Sequence, residues 1–455
     1  MTASTPAKVP PGPAGSFLFG SLRDFRANPL QLLMQLATEY GDICRFRVGF
    51  LEFYLLNHPD LITHVLVDRD KHYKKSRLDL EAFGPFVGQG LLTSEGDLWK
   101  QQRRLLQPLF TQQMFEAYSQ TITDYTTEMV DRWKPWAESG KTFDLAEEMT
   151  ALTMRVITRT ILGLDFAGVS KEVTEAFEIG IDYANSVMDT VVPLPDWVPT
   201  PGHVRFHHSK KVLFDLVNGL IEQRRRTSLE GKDLLTLMMR ARDEQTGAAF
   251  SDDMLRDQVL TFFGAGHETT AQSLKWSFSM LSRHPYVEQK VHAEAQRVLG
   301  GRAPTFKELG ALEYTKMVIH EVMRLWPAVW MLDREAVVED ELAGYPVPPG
   351  TQVAFSQWVM HRHPAYWENP EGFDPERFSP ERSAGRAHGV YFPFGAGPRV
   401  CIGNTFALME MQLIIPTILQ RYRLDVMPSP PVVPKPTLTL RPMYGVPVRA
   451  IPREG

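Results

Sequence analysis

Phe394-Gly395-Ala396-Gly397-Pro398-Arg399-Val400-Cys401-Ile402-Gly403 is the stretch on which the reading of the chain turns. Glycines stand at 395, 397 and 403, a proline at 398, and a cation two residues before the cysteine; a polar helix start follows at Asn404. The pattern describes a tight backbone cradle that presents one sulfur at a helix N-terminus. Backbone N–H groups and the helix dipole there favour a thiolate over a thiol. A thiolate held this way is a nucleophile or an axial metal ligand. Taken alone, a free cysteine is more often a small buried hydrophobe, but an inert core cysteine needs neither flanking glycines nor a nearby arginine. A nucleophile needs a base within reach, and no histidine lies close in sequence.

Length and composition set wide bounds. At 455 residues the chain is long enough for two or three domains. No low-complexity linker divides it, so one large domain is equally open. A net charge of −5 gives no reason to expect a nucleic-acid partner. Cys44 and Cys401 are far apart and differently set, which argues against a disulfide framework and for a reducing compartment. No run of about 18 apolar residues encodes a membrane span. The N-terminus lacks the basic and apolar regions of a signal peptide. Lys8-Val9-Pro10-Pro11-Gly12-Pro13 reads as a stiff, extended lead-in.

Residues 28–40 read as a short amphipathic helix. Ile43 to Val48 and Glu52 to Leu56 alternate apolar and polar residues around Gly49, a hairpin pattern, and Pro59 opens another short helix. Residues 78–98 show no clear period and read as an apolar loop that packs on the core or lines a cavity. Thr93 or Ser94 is placed to cap a helix through Trp99 and Arg103. From 112 to 240 helix follows helix, with breaks near 135–142 and 190–205. The second break, Val192 to Pro201, is Pro-rich and apolar and cannot be regular helix. Ser251, Asp252 and Asp253 start a helix that runs to about His284, roughly 30 residues and about 45 Å. Residues 286–299 and 313–326 are two more helices, and 335–356 a small sheet around Pro348-Pro349-Gly350. The tail carries a short-strand pattern at 437–440 and a turn at Gly445.

Several side chains stand out on chemical grounds. Gly264 and Gly266 lie inside the long helix, where each costs about 1 kcal/mol relative to alanine. Two glycines so close imply either the approach of another helix or a flat ligand against the backbone. Glu268 and Thr269 follow. A threonine hydroxyl can engage backbone groups and hold a water, and a carboxylate can exchange its proton with solvent. His267 reads as a spacer on another face. Trp99 and Arg103 are four apart and share a helix face. Both are pure donors, suited to a carboxylate, although a surface aromatic–cation pair explains them equally well. Glu321 and Arg324, three apart, can pair on one face.

FGAGPRVCIG, with Phe394, Gly397, Arg399, Cys401 and Gly403 in register and Ala407 one turn further on, resembles the haem-ligand loop of the cytochromes P-450, the haem-thiolate monooxygenases. The resemblance extends in order along the chain: Trp99-x-x-x-Arg103, Ala265-Gly266-His267-Glu268-Thr269-Thr270, Glu321-x-x-Arg324, Pro375-Glu376-Arg377-Phe378, then the cysteine loop. It implies haem b (iron protoporphyrin IX) with Cys401 as axial ligand of the iron. Trp99, Arg103, Arg334 and Arg399 are the implied propionate partners. Ala265 and Gly266 would lie along the distal face, Thr269 at the oxygen-activation position, and Glu268 as the acid that feeds it protons. Glu321, Arg324 and Arg377 would form a buried ion triad behind the cysteine loop. The glycines of the long helix are then explained by the flat ligand.

The implied fold is mainly α with small β-sheets, a single haem domain over 1–455. Its β-rich part falls near 40–75 and 330–360, its helix-rich part near 95–330 and 400–422, and no reductase is fused to it. The implied activity is hydroxylation of a hydrophobic substrate by one atom of O2. Electrons would come from a separate ferredoxin or flavodoxin with its reductase, received on a basic surface that includes Lys100 and Arg104. The setting is that of a soluble, cytoplasmic, bacterial-type monomer without a membrane span. Phe83, Phe86, Val87, Phe262, Phe263, Ala265, Val329, Trp330, Met331 and Met443 are the candidate pocket residues. Their apolar character points to a fatty acid, terpenoid or steroid, and the 190–205 break resembles the family's lid. Two rival readings remain: a haem-thiolate peroxygenase or isomerase, against which Glu268 and Thr269 argue, and a haem-based sensor, for which no output domain is visible.

Overall fold

Ser251 starts the longest helix among the described residues. Its side chain accepts from the Met254 N–H, Asp252 and Asp253 fill the first turn, and the helix Asp252–Arg283 runs 32 residues. In this computed structural model, which describes residues 8–16, 19–164, 171–190, 194, 197–227 and 231–453, that helix organises two hydrophobic cores. Leu255, Val259, Leu260 and Phe263 join a core with the helices Lys171–Asp189 and Pro201–Arg226. Leu274, Trp276, Phe278 and Leu281 join a second core with Gln112–Arg132, Glu313–Leu325 and Asn404–Arg421. Each such side chain contributes about 1.5–3 kcal/mol by leaving water. Trp276 also stacks on Trp326 at 4.1 Å and donates its indole N–H to Leu440 O at 2.8 Å. Between the two blocks, Gly264, Ala265, Gly266, Glu268, Thr269, Thr270 and Ser273 border a cavity.

A five-stranded sheet closes one side. Its order is Ile43–Val48, Leu51–Leu56, Gln352–Phe355, Leu332–Ala336, Tyr73–Lys74. The pairing of Leu51–Leu56 with Gln352–Phe355 is parallel and the others are antiparallel. The proline-rich lead-in runs along its edge: Arg45 N–H donates to Pro11 O at 2.8 Å, and Gly12 lies so close to Arg45 O that a Cβ would meet it at 1.9 Å. A three-stranded sheet joins Thr142–Asp144, Pro447–Pro452 and Tyr422–Val426.

Four local readings need correction. Residues 78–87 are helix, not loop: Arg77–Val87 is capped by Ser76, whose side chain accepts from the Asp79 N–H. Pro85 stands near its C-terminal end, where little of the hydrogen-bond ladder remains to be lost. The next helix, Gly96–Leu106, has Glu95 at its cap position without a side-chain bond. Thr93 and Ser94 bond Gly88 O and Gln102 instead. The break near 135–142 is a short helix, Lys134–Ser139, followed by the strand Thr142–Asp144. In the tail the strands are Pro434–Pro436 and Leu440–Pro442, so residues 437–439 form the turn between them. The 190–205 break lies partly outside the described residues. Its end is helical, because Pro201 begins Pro201–Arg226 with Thr200 as cap.

Candidate active site

The cysteine loop is built by positive-φ glycines. Gly395 and Gly397 adopt φ of 72° and 69°, a region that penalises any Cβ. They turn the chain so that Cys401 N–H donates to Phe394 O at 3.0 Å just before the helix Asn404–Arg421 begins. Phe394, Cys401, Gly403 and Ala407 line the cavity. The sulfur opens onto that cavity yet is surrounded by protein. Burial pushes its pKa up, while the Gly403 N–H and Arg103 pull it down. The net direction is upward, so the helix end alone does not make a thiolate, contrary to the sequence expectation. Gly397 does not line the cavity. A Cβ there would meet Leu66 O at 1.9 Å, so its role is to let the loop lie against residues 64–68.

The long helix supplies another wall, through Phe262, Ala265, Gly266, Glu268 and Thr269. Thr269 donates to Ala265 O at 2.8 Å, which leaves its oxygen free to accept. Glu268 Oε1 accepts from Gln272 at 2.7 Å and Thr439 at 2.9 Å. Burial favours its neutral form, but Lys275, His267 and the Gln272 and Thr439 donors together hold its pKa below the ordinary value. It is therefore an anion that must take up a proton before passing one on. Gly266 borders the cavity and also lies against a neighbouring helix, where a Cβ would meet Ile157 at 2.5 Å. His267 is buried, bonds Phe263 O at 2.7 Å and faces Phe177, as a spacer should. Phe263 packs on Phe177 in the adjacent core, with ring centroids 4.4 Å apart, and does not line the cavity. The other candidate pocket residues, Phe83, Phe86, Val87, Phe262, Ala265, Val329, Trp330, Met331 and Met443, do.

Cations gather around the loop. Arg103 donates to Val400 O at 3.0 Å. Arg399 grips Glu95 with two bonds of 2.5 and 2.6 Å and lies 4.9 Å from the Trp99 ring. Arg334 donates to Asp333 O at 2.7 Å. Lys75, which the sequence reading missed, donates to Leu91 O at 2.9 Å and Ser94 O at 2.8 Å. Burial pulls the Lys75 pKa down to about 7, and the charges of Arg399 and Arg334 pull it the same way. Burial and the neighbouring Asp79 push the Asp333 pKa well above its ordinary value, which favours its neutral form. Lys75, Trp99, Arg103, Arg334 and Arg399 all line the cavity. Lys100 and Arg104 are both partly exposed and pair with Asp97 and Asp243 at 2.9 and 2.8 Å, which offsets part of their charge.

The triad assembles as a closed unit. Glu321 accepts from Arg324 at 2.7 and 2.8 Å and from Arg377 at 3.0 Å, with Glu321 and Arg324 side chains fully buried. Arg324 also donates to His361 O, Pro370 O and Gly372 O at 2.8, 2.6 and 2.9 Å. The set therefore pins residues 361–377, which lead into the cysteine loop.

A family model described as Cytochrome P450 matches residues 10–446. The chain is 36% identical over 435 residues to the cyclooctat-9-en-7-ol 5-monooxygenase of Streptomyces melanosporofaciens, covering 94% of this chain and 90% of the relative. It is 31% identical over 409 residues to the pentalenene oxygenase of Streptomyces avermitilis, covering 89% of each. The crystal structure of the cytochrome P450DA heme domain superposes with a TM-score of 0.90 at 28% identity, over 98% of both chains.

Proposed function

The chain belongs to the cytochrome P450 family and is a haem-dependent monooxygenase; from that premise we propose that it hydroxylates a C–H bond of a terpenoid. Its cofactor is haem b, and the donors around the cavity suit that group. Cys401 offers a sulfur on a glycine cradle. Lys75, Arg103, Arg334 and Arg399 exceed the charge that Glu95 and Asp79 answer, which suits two propionates. The cavity volume of 1940 Å³ is above the roughly 300–1,000 Å³ of an ordinary ligand pocket, leaving room for a flat macrocycle and a second guest.

When bound, the haem supplies the redox and O2 chemistry, with thiolate ligation favouring O–O cleavage. The chain's own residues supply position and protons. The arginines, Lys75 and the Trp99 indole anchor the carboxylates. The Thr269 hydroxyl, already donating to Ala265 O, accepts a hydrogen bond from a proton-bearing water. Glu268 takes a proton and passes it along the helix wall. Phe83, Phe86, Val87, Phe262, Val329 and Met331 exclude water and orient the substrate.

The observation that carries the substrate class is the make-up of this wall. It is aromatic and aliphatic beside the long helix, while Lys75, Arg103, Arg334 and Arg399 gather near the cysteine loop, where Lys75 and Arg103 donate to backbone carbonyls and Arg399 pairs with Glu95. That arrangement suits a hydrocarbon skeleton better than a fatty acid. The terpenoid-oxygenating Streptomyces relatives support the same reading. The electron donor is a separate ferredoxin or flavodoxin with its reductase, and the chain works as one cytoplasmic, monomeric haem domain. The test is turnover of the holoprotein with a ferredoxin and its reductase on valencene, palmitate and progesterone. A hydroxylated valencene that needs donor and O2 is expected. Thr269→Ala should lower its rate by about 10- to 100-fold, the low end of what positioned proton transfer contributes. Oxidation of palmitate alone, or equal turnover with peroxide and no donor, contradicts the reading.

A further inference from the structure

Asn185 is a polar side chain in an otherwise apolar stripe of the cavity wall. On the helix Lys171–Asp189, the residues that line the cavity are Ile181, Ala184, Asn185 and Met188, a stripe at helical spacing. The rotation of this helix is fixed by close packing: a Cβ on Gly180 would meet the Phe86 ring at 2.1 Å. Asn185 therefore has a set direction. Its Oδ1 accepts from the Leu438 N–H at 2.9 Å, in the turn 437–439 that also lines the cavity. Since a backbone N–H can only donate, this bond fixes which end of the amide is oxygen. The NH2 end finds no acceptor among the described residues.

An amide donor held in an apolar pocket orients a ligand by the hydrogen bond it lacks. We propose that Asn185 is a specificity residue whose NH2 donates to an oxygen already present on the substrate, so that the enzyme prefers an oxygenated terpenoid to a bare hydrocarbon. This rests on the terpenoid reading above. It also gives the enzyme a place in a reaction sequence. An earlier oxygenation, or a cyclisation quenched by water, must supply the substrate, and this enzyme adds a later oxygen at a position set by the first.

A purely structural role for Asn185 is separable from recognition. The same turn reaches Glu268 through Thr439, so loss of the Leu438 contact could disturb the site without any ligand contact. Asn185→Asp keeps the acceptor for Leu438 and removes the donor, while Asn185→Leu removes both. The experiment titrates the holoprotein, by haem spin-state shift, with valencene and with nootkatone, its ketone counterpart, which can only accept. Wild type should bind nootkatone about tenfold tighter, the equivalent of one hydrogen bond. Both variants should lose that preference while binding valencene within about twofold of wild type, far less than the tenfold step of a lost hydrogen bond. A valencene shift without ketone preference in wild type overturns this inference alone. So does a preference that survives in either variant. A loss of both ligands in Asn185→Leu with wild-type behaviour in Asn185→Asp makes the residue a strut and also overturns it. No shift with either terpenoid, but a shift with palmitate, overturns the terpenoid reading and this inference with it.

Discussion

Two groups of buried charge serve the cysteine loop, and they are built on opposite plans. In Glu321, Arg324 and Arg377, the carboxylate and guanidinium groups meet one another and the carbonyls of 361–372. Around the cavity, Lys75, Arg103, Arg334 and Arg399 outnumber their carboxylates, and Lys75 feels repulsion from both Arg334 and Arg399. The triad also carries one cation more than its carboxylate, but backbone carbonyls take up those donors and none of the three side chains lines the cavity, so nothing in it calls for a guest. A set with excess charge of one sign, opening onto a cavity, calls for a guest of the other sign.

The comparison breaks most visibly at the closed cluster. Arg324→Ala leaves Glu321 buried and underpaired, which costs about 3–5 kcal/mol. Haem content and soluble yield should collapse together, and soluble Arg324→Ala protein with normal haem content would show that the triad is not a support. The open cluster should respond more gently and in opposite directions. Arg399→Ala removes charged hydrogen bonds of about 1.5–3 kcal/mol each, so haem transfer to excess apomyoglobin should speed up by roughly 10- to 100-fold. Glu95→Gln removes the internal competitor for Arg399, and haem should be held as well or better. Equal weakening by both changes would mean that Arg399 and Glu95 form a structural pair.

The smallest effect expected is one of pH. The Lys75 pKa is pulled down to about 7, by burial first and then by the neighbouring arginines. A carboxylate guest raises it, so the haem-bound form holds more protons than the free form at pH above 7. Haem affinity should then fall as pH rises from about 7 and stay flat below it. Lys75→Met should flatten the slope in equilibrium haem-binding measurements across that range.

What the sequence made legible was whatever is local. The long helix announced itself through Ser251, Asp252 and Asp253 and through its periodicity. Glu321 and Arg324 are neighbours on one helix turn. The helix Arg77–Val87 was not legible, because Gly84 and Pro85 interrupt a short apolar pattern. Lys75 was missed because its partners come from residues 91–95, 334 and 399, and a lone lysine in sequence looks like a solvated one. Phe262 and Phe263 differ by about 100° around the helix, and a pattern that names both cannot tell which faces the cavity. Gly266 and Gly397 were recognised as special, but the neighbours that crowd them, Ile157 and Leu66, are far away in sequence.

The central claim is that Cys401 is the axial ligand of the haem iron. Cys44, the other thiol, is fully buried in a separate core, with its pKa pushed up to about 12 by burial. The most direct measurement is the absorption spectrum of the reduced, carbon monoxide-bound holoprotein, for wild type and Cys401→His. A long-wavelength thiolate band in wild type, replaced by a histidine-type band in the variant, is the predicted result. A histidine-type band in wild type, or a thiolate band that survives in Cys401→His, would contradict the account.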